Sequence, residues 1–364
     1  MNGTGLPPRK KIIQGLFIFV VALFFSLSIS ETVVGTLLAQ WTLDRFIRLD
    51  PPRQEDQIVL IDITEEDYST IFGRRRPLDP ATVVELVRAA HLAGAKVIAV
   101  DINTADWPQE SEKLLALRVP SEAAVVWARG FYVDRRSGKA HRRLDRLLGG
   151  VPGSNGECYG IPALEQGGGI VRYFYSGLKF EMWEPSFVEQ IIYRSANRSC
   201  LEHQERDEEL RIIDFSAQIR IESASTLLEQ SKQKDWGRRP EYADKILILG
   251  GSFHSGSDTS LTPVGEMSGL EIAGQALSSV IRSKARKELG KVSSVMIDAG
   301  IGLVLFIVGF WTRLTQFILA IVIVVLGGFL CLYAFRQYYL FVGYIPFALG
   351  SAAHVYLGRM YERP

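Results

Sequence analysis

The stretch Lys245–Ile281, KILILGGSFHSGSDTSLTPVGEMSGLEIAGQALSSVI, constrains the fold more than any other part of the chain. Ile246 to Leu249 is continuously apolar, without the alternation of a half-exposed strand, and so predicts a strand buried on both faces inside an α/β sheet. Gly250 and Gly251 end it in a turn, Asp258, Thr262 and Pro263 mark a loop, and Gly269 opens a helix that runs to about Ile281. A loop leaving the carboxyl end of such a strand lies at the edge where α/β sheets bind ligands.

The same alternation runs upstream. Gln57–Ile63 predicts a strand with Asp62 near its carboxyl end. A helix follows from Pro80, with Asp79 as its cap and Val83, Val84, Leu86, Val87 and Ala90 toward the core. Gly94 stops it, and Lys96–Val100 predicts a second strand ending at Asp101. Strand, helix and strand make a crossover whose strands pair in parallel. Further strands are expected at Ala123–Ala128, Ile170–Tyr175 and Leu210–Phe215, and helices at Glu110–Leu117, Pro185–Ala196 and Ala224–Gln230. Asp134–Gly160, with six basic residues and many glycines, predicts a long surface excursion. The expected fold is one α/β domain with a mainly parallel sheet flanked by helices.

Hydrophobicity gathers at the two ends. Ile12–Ser30 carries no charge after Arg9, Lys10 and Lys11, and is long enough for a hydrocarbon core about 30 Å thick. A signal peptide is the competing reading, but the run exceeds the roughly 7–15 apolar residues of such peptides and no clean A-x-A site follows. Val292–Trp311, Leu314–Phe335 and Tyr339–Leu357 are three more such stretches, for which a buried helical hairpin is the alternative. Four transmembrane helices are expected, dividing the chain into 1–31, an exported domain 32–291, three helices in 292–357 and a tail 358–364. The basic N-terminal cluster, Arg313, Arg359 and Arg363 place both termini in the cytoplasm. Arg282, Lys284, Arg286, Lys287 and Lys291 oppose this as a basic collar on the outer side, where contact with lipid headgroups and plain solvation stand level. Leu37, Leu38, Trp41, Phe46 and Leu49 recur at near-helical spacing, so the first helix is expected to continue outward as an amphipathic stalk ended by Pro51 and Pro52.

Charge is balanced, 41 basic against 40 acidic residues, and gives no sign of nucleic acid. Cys158 and Cys200 fall in the exported region, where they can pair; parity alone argues for it. No cysteine or histidine spacing suits a metal, and no cofactor motif is present.

Taken in order, IVLIDITEEDYSTIFG (Ile58–Gly73), PLDPATVVELVRAAHLAGAKVIAVDI (Pro77–Ile102), GGGIVRYF (Gly167–Phe174), EPSFVEQI (Glu184–Ile191), and KILILGG with D-x-x-x-T-P and Gly269-x-Glu271 resemble the second type of CHASE domain. These are extracytoplasmic sensory domains of bacterial histidine kinases and cyclases. The resemblance implies a periplasmic sensor in the bacterial inner membrane, with one membrane helix before the domain and three after it. Ala273 stands where the family often has His. Such receptors usually continue into a kinase or cyclase, whereas Leu357 is followed here by seven residues, so the resemblance implies an output on a separate polypeptide.

Asp62, Asp101 and Asp258 follow three strand ends, with Glu65 and His254 nearby; they suit a polar cleft, or simply cap helices and close loops. The turn Gly250-Gly251-Ser252 suits backbone binding of an anion, or only a tight turn at positive φ. His254, Ser255 and Asp258 hold the residue types of a hydrolytic triad but crowd one loop, which argues against an enzyme. The Arg74–Arg76 run reads as solvated surface or a site for acidic ligands, and Asp298 as an interfacial residue or a contact between helices. Three functions follow in order: a membrane-anchored sensor of an unknown small ligand signalling through a separate protein, a membrane scaffold or anchoring subunit of a multiprotein complex, and an exported hydrolase; a homo-oligomer stays open under each.

Overall fold

A computed structural model of the chain describes residues 32–343, apart from 105, 108–122, 134–139, 143–157, 168, 181–182, 202–207, 254–258, 283–285 and much of 291–312, with scattered positions in 13–28. The chain forms two compact units, Pro51–Ala285 and a second made of Met1–Asp50 with Arg286–Pro364. Helix α1 (Val33–Arg48) belongs to the second unit.

The larger unit opens with β1 (Arg53–Ile63), α2 (Glu65–Thr70), α3 (Pro80–Leu92), β2 (Val97–Asp101), β3 (Val125–Ala128) and β4 (Cys158–Gly160). It continues with β5 (Leu164–Gly167), β6 (Ile170–Tyr175), α4 (Phe187–Ser195), β7 (Leu210–Ile212), β8 (Ala217–Ser223), α5 (Ala224–Ser231), β9 (Ile246–Gly251), the hairpin β10 (Thr259–Thr262) and β11 (Gly265–Ser268), and α6 (Gly269–Ile281). Six strands form the main sheet in the order β8-β1-β9-β2-β3-β4, every pair parallel. A second sheet runs β7-β6-β10-β11, with β5 beside β6.

Burial explains the layering. Val59, Ile61 and Ile63 of β1, Leu247 and Leu249 of β9, and Ile98 and Val100 of β2 face one way and pack with Val83, Val84 and Val87 of α3 and Leu227 of α5. The alternate residues, Ile58, Leu60, Ile246, Ile248, Val97 and Ala99, face the other way, where α6 and α4 cover the sheet. β9 is buried along its length because it is the third strand of six, as its unbroken apolar run predicts. Asp79 caps α3 by accepting from the Thr82 amide at 3.0 Å, Pro80 holds the first turn, and Gly94 follows the helix at φ 88°.

Three features depart from expectation. β1 starts at Arg53, four residues early, and carries an irregularity between Glu55 and Val59. β8 is a whole strand at the sheet edge, where one long side lacks a neighbour and polar residues are tolerated, so its run AQIRIES carries a weak signal. Thr259–Ser268 is a hairpin rather than open loop; Thr262 Oγ1 donates to the Gly265 carbonyl at 2.6 Å across its turn.

In the smaller unit, α1 buries Leu43, Phe46 and Ile47 and leaves Leu37 and Trp41 more than half exposed, 55% and 56%. The expected stalk stripe is therefore divided between two faces. Helix α7 (Arg313–Gln337) and a short parallel pair, β12 (Lys287–Glu288) with β13 (Leu340–Phe341), complete the described part of this unit. Phe46, Phe335 and Phe341 meet with ring centroids 5.5–6.3 Å apart. Of the basic collar, Arg286 is buried and paired with Asp50, and Arg282, in the larger unit, bonds Glu55.

Among the described residues no helix is long and apolar enough to cross a membrane. The expectation of four spans is not met there: Ile12–Ser30, Val292–Trp311 and Tyr339–Leu357 lie mostly outside those residues. Leu314–Phe335 falls within α7. Asp298 and the helix expected at Glu110–Leu117 also lie outside them.

Candidate functional site

Three strand ends converge on the carboxyl edge of the main sheet. Asp62 of β1 is the register partner of Gly250 of β9, and Gly250 that of Asp101 of β2. The rows behind it, Leu60–Ile248–Ala99 and Ile58–Ile246–Val97, are wholly apolar. Because side chains alternate along each strand, the Asp62–Gly250–Asp101 row continues the face that α6 covers. Two strand spacings put the aspartates about 10 Å apart at the backbone, with a glycine between them.

Gly250 lies under the first turn of α6. A Cβ there would come within 3.1 Å of Leu270 Cδ1 and 3.5 Å of Asp101 Cβ, so the first turn of α6 packs directly on the strand. At Gly251 a Cβ would meet Phe253 Cε1 at 2.4 Å, and Phe253 stacks on Tyr68 with centroids 4.4 Å apart. Neither glycine has positive φ. Close approach of side chains, not a left-handed turn, requires glycine at both positions.

Asp62 accepts from the Ser252 amide at 2.9 Å and from its hydroxyl at 2.7 Å. Burial raises its pKa above the ordinary carboxylate value, outweighing those two bonds, and the negative charges of Asp67 and Glu271 add to the rise. The Ser252 amide, expected as an anion donor, is thus turned toward a carboxylate and also donates to the Ile63 carbonyl at 3.2 Å. The Gly250–Ser252 turn is no anion cradle at that amide.

Of the other residues singled out, Glu65 sits exposed in the first turn of α2, and Thr262 closes the β10–β11 turn. His254, Ser255 and Asp258 lie outside the described residues. No group of three His, Cys, Asp or Glu side chains suited to a metal ion occurs among the described residues. The Cys158 and Cys200 sulfurs are joined at 2.07 Å, fastening edge strand β4 to the chain beyond α4.

The residues that complete the site are two helix caps. Thr64 and Asp67 form a reciprocal capping box on α2, and buried Asp67 also accepts from the Ser225 amide at 3.3 Å. Ser268 and Glu271 form the same box on α6, with the Ser268 amide donating to Glu271 at 2.8 Å. Their patterns, T-x-x-D and S-x-x-E, stand in the sequence as recognisable helix starts. The result is a strand-end row with Asp62 and Asp101 on either side of Gly250 and Leu270 packed over it, beside two helix starts, rich in acceptors and negative in charge.

A family model described as the CHASE2 domain matches residues 16–312. No curated protein and no solved structure matches the chain. With most of its length matched, and with the parallel sheet and flanking helices in place, the chain belongs to the CHASE2 family of sensory domains.

Proposed function

We propose that the chain is a membrane-anchored extracytoplasmic sensor that takes a small ligand carrying hydrogen-bond donors at the Asp62–Gly250–Asp101 row and passes the event to a separate signalling protein. The observation that carries the ligand reading is the row itself: two carboxylates flank a glycine at the end of two wholly apolar rows, at the edge where parallel sheets bind ligands. Retention of a carboxylate whose pKa is raised by burial is a mark of functional sites. The Cys158–Cys200 bond suits an oxidising compartment. Anchoring is supported by α7, where Ile321, Val322, Val325, Leu326, Phe329 and Leu330 are exposed, Phe329 by 67%, in a helix of 25 residues. Apolar side chains in such density call for a nonaqueous partner, and lipid is the one the flanking sequence favours.

The test uses the full chain in lipid nanodiscs, screened against small polar metabolites by thermal shift. A stabilising compound whose effect is lost in Asp62→Asn/Asp101→Asn supports the site. Stabilisation undiminished in that variant contradicts it. Copurification from the native membrane of a second protein bearing a catalytic domain supports the separate output, and a homogeneous homo-oligomer favours the scaffold reading.

A further inference from the structure

The chain passes between its two compact units at only two points, from Asp50 to Pro51 and from Ala285 to Arg286. The residues on the smaller unit's side of these crossings are ion-paired: Arg286 Nη2 donates to Asp50 Oδ2, and both side chains are 0% exposed. Arg286 also lies over the Phe335 ring, 4.0 Å from guanidinium carbon to centroid, and its Nε donates to the Phe335 carbonyl at 3.3 Å. Arg336 joins the group, donating to the Leu49 carbonyl and lying 3.9 Å from Asp50 Oδ1. Phe46 of α1 and Phe341 of β13 pack against Phe335, and Leu289 N–H donates to the Phe341 carbonyl at 2.8 Å.

We propose that Asp50, Arg286 and Phe335 form a clasp that binds the entering chain, the leaving chain and the end of α7 into one element, so that a change arriving by either crossing reaches α1 and α7 together. Arg286 reaches all three segments from one side chain. Its guanidinium meets a carboxylate at the end of α1, and a ring face and a carbonyl at the end of α7. A buried ion pair is poor evidence of added stability, since apolar replacements of like volume often serve as well, but it specifies one arrangement, and removing one partner leaves the other buried and uncompensated. Without it, the two helices would be free to respond independently. What the clasp transmits rests on the sensory reading above; its existence does not.

Pulsed electron resonance on the full chain in lipid nanodiscs tests this without any ligand. Nitroxides at Trp41→Cys and Phe329→Cys, both exposed positions, report the α1–α7 distance in a Cys331→Ser background. The expected result is a single narrow distribution in the otherwise unchanged chain. That single peak should be lost in Asp50→Asn and in Arg286→Gln, and Asp50→Leu/Arg286→Met, where neither partner is left buried and uncompensated, should fold but show a broadened peak. Phe335→Leu, which keeps the ion pair, should broaden the peak without abolishing it. An unchanged distribution in both single variants overturns the clasp. If the single variants do not fold, the double variant and Phe335→Leu decide: a broadened peak in both supports the proposal, and a peak as narrow as in the unchanged chain overturns it. A barren ligand screen with a narrow, clasp-dependent peak would sink the sensory reading alone.

Discussion

Strand β1 carries a carboxylate toward each end of α6, and the two are treated in opposite ways. Glu55, near the start of β1 and 3% exposed, accepts from Ser278 Oγ at 2.7 Å and Arg282 Nε at 2.9 Å. Its charge is met by a cation and its oxygen by a hydroxyl, both from the last turns of α6. Asp62, at the far end of the strand, is held by Ser252, and the charges acting on it, Asp67 and Glu271, are both negative. The base of the fold is neutralised from within, while the top keeps an acceptor at a cost. That cost is the expected sign of a site kept for something outside the chain.

Breaking the base should have the largest effect. Glu55→Ala takes the ion-pair partner from half-buried Arg282 and the buried acceptor from Ser278, and is expected to cost about 2–4 kcal/mol in chemical denaturation. A loss below about 1 kcal/mol would place Glu55 among ordinary surface charges and erase the contrast. The next effect is at the rim. Gly251→Ala drives a methyl group into Phe253 and off its stack on Tyr68, an overpacking cost of about 1–3 kcal/mol, visible as a lower midpoint. Gly265→Ala, at φ 136° with nothing within 4 Å, separates backbone strain from crowding as a control.

Much of this contrast was legible beforehand. The apolar run Ile246–Leu249, the Asp79-Pro80 helix start and the strand ends at Asp62 and Asp101 each follow from local rules, and together they place the carboxyl edge. The partners of those carboxylates were not legible, because they come from remote segments: Ser252 lies 190 residues from Asp62 and Ser278 lies 223 from Glu55. Strand β8 escaped notice because an edge strand needs only part of the usual pattern. Arg286 was misplaced for a related reason. Five basic residues in a row of ten look like a solvated collar, and only the tertiary fold brings Asp50 and Phe335 to one of them.

The smallest expected effect is also the most telling, and it needs no ligand: the stability of Asp62→Asn against the unchanged chain, measured from pH 4 to pH 8. A carboxyl group whose folded pKa is raised binds its proton more tightly when folded. Stability is therefore lost as pH rises from the unfolded value, about 3.9, through the folded one, and the deficit persists at neutral pH. Asparagine retains the shape, with Oδ1 to accept from the Ser252 amide and Nδ2 to donate to the Ser252 hydroxyl oxygen, without the charge. The account predicts that Asp62→Asn matches or exceeds the unchanged chain by up to about 1 kcal/mol at neutral pH and loses the acid-side slope. If Asp62→Asn instead destabilises as strongly as Glu55→Ala, Asp62 is a structural carboxylate like its counterpart, and the carboxyl edge is not the sensing site.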